Sequence, residues 1–256
     1  MTTICKNCAS SFEGKFCNQC GQAADTPEIN FRSVAQELQH TILQIDKGLL
    51  YTTRELLLRP GKTIRGYLEG KRVQHIKPFA YIFILSTLYA LLTTLTRKST
   101  FLADFLDGFY DGTTESEAQS DMGLVGDIVL WMSSHYAYTT LLIIPLISLA
   151  SYLCFAKMRY NYFQHLVLNS YVAGQRTAVF LLLLPFTYFI TDESTNDFID
   201  TVKVYLGIAL TFWTYYQFFN TTRVYKRILL TILTYVVMLV LIFLITLIIA
   251  LVQKVF

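Results

Sequence analysis

Charge is scarce in this chain. Asp, Glu, Lys and Arg make up 15% of its 256 residues, against about 25% in ordinary soluble domains, while the apolar set reaches 54%. The apolar residues are gathered in long runs and lack the dispersed period of a soluble core, so the excess must face lipid. A cleavable signal peptide is also missing. The first run long enough to enter a bilayer starts near Phe79, and what precedes it is polar and cysteine-bearing, so the N-terminal segment is expected to stay in the mature protein. The signatures of common enzyme chemistry are absent too: no phosphate-cradling glycine loop, nucleophile elbow or HExxH sequence occurs, and no enzyme is expected. No broken-helix pair or internal repeat of the transporter kind is evident either.

Five runs read as membrane spans, at about 79–96, 135–156, 176–190, 204–220 and 228–252. About 20 residues cross a bilayer, so the third and fourth are short. The third is expected to borrow from the half-polar NYFQHLVLNSYVAGQ before it, and the count stands at four or five. The signs of charge are segregated. Residues 1–78 hold eleven Lys/Arg and seven Asp/Glu. By contrast, Asp104, Asp107, Asp111, Glu115, Glu117, Asp121 and Asp127, then Asp192, Glu193, Asp197 and Asp200, form two acidic blocks with no Lys or Arg among them. With five spans and a cytoplasmic N-terminus, seventeen of the 21 Lys/Arg lie inside, and only Arg97, Lys98, Lys203 and Lys254 lie outside with both acidic blocks. That is the bias of a multi-pass membrane protein whose N-terminus is cytoplasmic.

The most specific motif is Cys5-x2-Cys8-x8-Cys17-x2-Cys20 followed by Gly21. Two CxxC pairs closing on one point give the tetrahedral four-thiolate sphere of a structural zinc, and a glycine after the second pair suits a tight knuckle. A closed four-sulfur site leaves no position for a catalytic water. Two disulfides, a redox CxxC and a rubredoxin-like iron are the alternatives, the first weakened by a reducing cytosol. The unit is too small for a hydrophobic core of its own.

From Asn30 onward, Phe31, Val34, Leu38, Ile42, Ile45 and Leu49 recur at helical spacing, with Thr26 and Pro27 as the predicted N-cap and first helical residue. Next come two short amphipathic helices broken at Pro60 and Gly61 and stopped at Gly70. Arg54, Arg59, Lys62, Arg65, Lys71, Arg72 and Lys77 face only Glu55 and Glu69 there, while Leu56, Leu57, Ile64 and Leu68 form an apolar face. The segment is expected to lie on the membrane surface against anionic headgroups. His165, Asn169, Gln175 and Arg176 are the candidates for an intramembrane polar site. Their competing reading, like that of His135, is a position near a span end from which a long side chain reaches the interface. Cys154, within an apolar span, reads as a packing residue.

The knuckle ending FCNQCGQ, then DKGLLYTTRELLLRPGKTIRGYLEGKRVQHIKP running into the first span, resembles the bacterial membrane proteins grouped as domain of unknown function 3667. The resemblance covers roughly the first third of the chain. It is carried by Cys5, Cys8, Cys17, Cys20, Gly21, Asp46, Arg54, Pro60, Gly61, Tyr67, Gly70, Lys71, Arg72 and Pro78. It implies this architecture and an inner-membrane location, and no reaction.

The sequence therefore predicts an all-α integral membrane protein. A zinc ribbon occupies residues 1–24, amphipathic juxtamembrane helices 25–78 and transmembrane helices 79–256. The function expected is that of an adaptor or sensor docking a cytosolic protein at the membrane. The alternative is a small-molecule or ion transporter with its path between the spans. Anionic lipid, a protein partner and further copies of the chain are the partners this layout admits; nucleic acid is not expected.

Overall fold

The computed structural model describes residues 2–26, 28–31, 33, 34, 48–96, 128, 131, 132, 134–188, 190 and 192–255. The first acidic block and most of the stripe from Leu38 to Ile45 lie outside these residues.

Two short strands, β1 (Thr3–Ile4) and β2 (Ser11–Phe12), pair antiparallel with Thr3 opposite Phe12. The helix after Asn30 begins one turn later than Thr26 and Pro27 suggested. The Asn30 side chain accepts from the Ser33 amide at 3.0 Å while the Ser33 hydroxyl accepts from the Asn30 amide at 2.9 Å. This reciprocal cap satisfies two otherwise free donors, which Thr26 does not.

The juxtamembrane collar is α1 (Gly48–Leu58) and α2 (Pro60–Leu68). Pro60 takes the first turn of α2, where its missing N–H costs nothing. Gly70 sits at φ +107, a conformation that stops the helix and that residues with a Cβ rarely adopt.

Among the described residues five long helices follow: α3 (Pro78–Thr96), α4 (Tyr136–Cys154), α5 (Tyr162–Tyr188), α6 (Glu193–Phe218) and α7 (Val224–Val255). Four of them, α3, α4, α5 and α7, are long and apolar enough to cross a membrane. The third expected span does borrow from the segment before it: α5 is one helix of 27 residues. The second acidic block is helical in large part. Asp192 caps α6 through the Thr195 amide, where the helix dipole favours negative charge.

Helix α5 is the axis of the bundle. Ser151 on α4 meets His165, and Tyr136 meets Thr177, so α4 runs antiparallel to α5. Tyr81 packs on Gly174 and Tyr89 on Phe180, so α3 runs parallel to it. Thr214 meets Gln175 on the other side. Helix α5 is accordingly the most enclosed of the candidate spans and α7 the least, with 72% and 6% of their apolar windows buried, although Thr231 and Thr234 mark a stripe of α7 that is turned inward. The cysteine knuckle, the collar and the turns at 155–161 and 219–223 all gather at one end, tied by Asn161 to the Ile29 carbonyl and by Arg65 to α6.

Candidate metal centre and polar interior

Each half of the knuckle repeats one backbone turn. The amides of Cys5 and Cys17 donate to the carbonyls five residues ahead, Ser10 and Gln22, and the amides of Ala9 and Gly21 donate back to the carbonyls of Cys5 and Cys17. Ala9 and Gly21 both have positive φ, +61 and +75. The sequence flagged Gly21; Ala9 carries no such signal because its side chain disguises the same geometry.

The Sγ atoms of Cys5, Cys8, Cys17 and Cys20 lie within 4.8 Å of one another. Cys5 and Cys20 are 3.5 Å apart and Cys8 and Cys17 3.6 Å. A tetrahedral ion with metal–sulfur bonds of about 2.3 Å requires sulfur separations of about 3.8 Å, whereas a disulfide requires about 2.0 Å. All four cysteines are free thiols, so the donor set fits a four-thiolate metal ion and not a pair of disulfides. The Ser10 hydroxyl stands 2.7 Å from the Cys8 sulfur and 3.5 Å from that of Cys17. This hydroxyl, with the amides of Gln19 and Cys20, pulls the Cys17 thiol down to about 6, and it lowers Cys8 as well. At Cys5 the Cys8 amide acts downward, but burial and the neighbouring thiols outweigh it and hold the group up at about 11. A cation bound at the centre would neutralise the crowded thiolates and release their protons.

The knuckle is seated on the collar. The Gln22 side chain accepts from the Arg72 amide at 3.2 Å, Lys6 donates to the Thr26 carbonyl at 3.3 Å, and Gly70 lies so close to Lys6 and Thr26 that an added Cβ would stand 2.9 and 3.0 Å from them. The collar in turn is buried in the bundle. Leu56 and Ile64 are wholly enclosed, and the Tyr67 ring meets that of Tyr171 edge-on at 5.4 Å. The apolar face expected to lie on lipid is turned instead onto α5 and α6, with Leu57 and Leu68 half-buried. Arg65 is consumed inside: it donates to the carbonyls of Gln217 and Phe218 at the end of α6, where a cation offsets the helix dipole. Arg59 forms a bidentate pair with Glu55, whose carboxyl it holds below its ordinary range. Arg72 lies over the Tyr67 ring at 5.3 Å. Arg54, Lys62, Lys71 and Lys77 point outward, beside exposed Leu50, Leu58 and Val73.

Three of the four intramembrane candidates are enclosed and hydrogen-bonded. His165 Nδ1 and Ser151 Oγ are 2.9 Å apart, and the Asn169 amide nitrogen reaches Ser148, Ser151 and the His165 carbonyl. Tyr215 donates to the Asn169 oxygen at 2.6 Å. Gln175 donates to the Leu56 carbonyl at 2.9 Å and accepts from Thr214 at 2.8 Å, linking bundle and collar. Arg176 departs from the sequence reading. Because α5 starts at Tyr162, it stands at mid-helix and not at a span end, with its Nε buried and without a partner among the described residues. His135 is exposed at the head of α4, stacked on Trp131 at 4.7 Å. Lys203 and Asp200, read from the sequence as separate exterior charges, are paired at 2.5 Å with Lys203 only 4% exposed.

Residues 46–90 match the model of a family described as protein of unknown function (DUF3667). No curated protein and no solved structure matches the chain. The matched segment is the collar with the first two thirds of α3. Within it Pro60 opens α2, Gly61 abuts Gln217, Tyr67 meets Tyr171, and Gly70 abuts the knuckle.

Proposed function

We propose that this chain, whose collar carries the DUF3667 signature at residues 46–90, is a membrane-embedded adaptor or sensor. In this reading a zinc-loaded knuckle on the cytosolic side presents a surface to a protein partner, and the metal state reaches the bundle through the collar. One observation carries it: an unbroken path from Gln22 to Arg72, from α2 through Arg65 to the end of α6, and from Leu56 to Gln175 at the middle of α5. Four thiolates leave no open coordination position, which favours structural zinc over a catalytic ion and a non-enzymatic role. The outward Arg54, Lys62, Lys71 and Lys77 with exposed Leu50 and Leu58 suit an anionic bilayer surface, at about 1 kcal/mol for each basic residue near it. Asn169 is hydrogen-bonded to Ser148, Ser151 and Tyr215, which favours a fixed interior over a transport path, while His165 Nε2 is enclosed without a partner among the described residues.

The test is hydrogen exchange on the purified full-length protein, before and after metal removal with a chelator. Faster exchange at residues 60–77 and 210–218 on removal supports the coupling. A change confined to residues 2–26 refutes it. Capture of cytosolic proteins on wild type but not on Cys17→Ser supports the adaptor role; identical capture by both removes it.

A further inference from the structure

The two halves of the knuckle match in backbone and differ in the residue that fills one place. Cys5 accepts from the amides of Asn7 and Cys8, and Cys17 from those of Gln19 and Cys20, the same two offsets in each half. The carbonyls that receive the Cys5 and Cys17 amides belong to Ser10 and Gln22, so these two residues hold corresponding positions. Their side chains go opposite ways. Gln22 turns outward and accepts from the Arg72 amide of the collar. The Ser10 hydroxyl turns in on the sulfurs, 2.7 Å from Cys8 and 3.5 Å from Cys17, and the Ser10 amide is also directed at Cys8. Of the four ligands Cys8 is the exposed one; Cys5 and Cys17 are buried and Cys20 is half-buried. Four thiolates carry more negative charge than a divalent ion cancels, and water has its readiest access to the sulfur of Cys8. A metal-bound thiolate has no proton to give, so the hydroxyl is the donor, and its single O–H serves one sulfur at a time. The shorter separation assigns it to Cys8, and a donor to a charged acceptor forms one of the stronger hydrogen bonds.

We propose that Ser10 is the positioning residue of the metal centre: its hydroxyl, donating to the Cys8 thiolate, keeps the exposed ligand in the coordination sphere and so sets how tightly the ion is retained. The knuckle thus divides one repeated position between two tasks, Ser10 holding the metal edge and Gln22 the collar. This role rests on the metal reading above, and its failure is distinguishable from the failure of that reading.

Full-length protein in an uncharged detergent is loaded with zinc and titrated against a chromophoric chelator. A parallel sample is loaded with cobalt(II), whose thiolate charge-transfer band reports the electron density on the sulfurs. Ser10→Ala keeps the backbone carbonyl that the Cys5 amide needs. It is expected to weaken zinc retention about tenfold and to move the cobalt band to longer wavelength, because a thiolate that loses a donor gives up charge at lower energy. Ser10→Thr, which keeps the hydroxyl, is expected to restore both. Ser11→Ala, at the exposed neighbouring serine of β2, should change neither. Wild-type retention in Ser10→Ala overturns the proposal and leaves the metal centre standing. Weakened retention with an unmoved band is a merely structural effect and overturns it also, as does Ser10→Thr behaving like Ser10→Ala. A wild type that takes up neither ion overturns the metal reading and the proposal together. Should Ser10→Ala hold no cobalt at all, Ser10→Thr decides: wild-type loading and band support the proposal, and their loss overturns it.

Discussion

Ala9 and Gly21 occupy equivalent turns with left-handed φ, yet one carries a methyl group that such a backbone disfavours by roughly 1–2 kcal/mol. Ala9→Gly is therefore expected to slow metal loss to a chelator, and Gly21→Ala to hasten it. An added Cβ at Gly21 meets nothing within 4 Å, so the effect is one of backbone conformation alone. Cys17→Ser should abolish a stoichiometry of about one zinc per chain, read by metal analysis; an iron absorbance in wild type would contradict zinc. His75, in the turn before α3, makes a different point. Its ring lies near Tyr51 and Tyr67 with Nδ1 enclosed and without a partner among the described residues, and burial lowers its pKa below the ordinary 6.5, opposed by the Glu55 carboxylate. A base with a lowered folded pKa contributes stability above 6.5 that is lost as pH falls toward the folded value. Acidification from pH 7.5 to 5.5 should therefore destabilise the protein, by at most about 1.4 kcal/mol per pH unit for one group, and His75→Phe should flatten that part of the slope in a thermal-unfolding series.

At the scale of elements, the collar is held by close approach as much as by burial. A Cβ on Gly61 would collide with the backbone of Gln217 and Phe218, and backbone cannot yield as a side-chain end does. Gly61→Ala is expected to cost at least about 2 kcal/mol and to open residues 59–72 to limited proteolysis. Arg65→Ala should open the same region at a smaller cost, roughly 1 kcal/mol for the lost helix-end charge. Helix α6 shows how misleading an average can be. Lys203, Thr211, Thr214 and Tyr215 are buried, while Phe198, Val202, Tyr205, Ile208 and Trp213 are exposed. A polar stripe inward and an apolar one outward suit a helix in lipid, yet its mean hydropathy suffers from its acidic first turns.

For the molecule as a whole, alternation of the five helices puts the turn at 155–161, the turn at 219–223 and the collar at one end and Ser134 at the other. Cysteine introduced at Ser134 should label with an impermeant reagent on intact spheroplasts, and cysteine introduced at Lys226 only after lysis, as the Lys/Arg bias predicts, sixteen of 21 falling on the collar side once Arg176 is counted at mid-helix. The reverse pattern would invert the orientation and with it the assignment of the knuckle to the cytosol.

Much of this was open to inspection in the one-dimensional chain. Paired CxxC spacing specifies four sulfurs on one point because ligand geometry is local, and the Pro60 break and Gly70 stop follow from backbone sterics. Long apolar runs specify a membrane class because transfer to an apolar medium depends on composition alone. Which apolar medium receives a given face is another matter. Leu56 and Ile64 carry the same hydropathy whether they meet lipid or α5 and α6, and only the tertiary structure turned them inward. The extent of α5 likewise decided that Arg176 stands at mid-helix, and the packing of α5 on α6 decided that its side chain lies beside Gly207. Those pairings join residues far apart in sequence, and no local pattern records which distant helix will stand opposite.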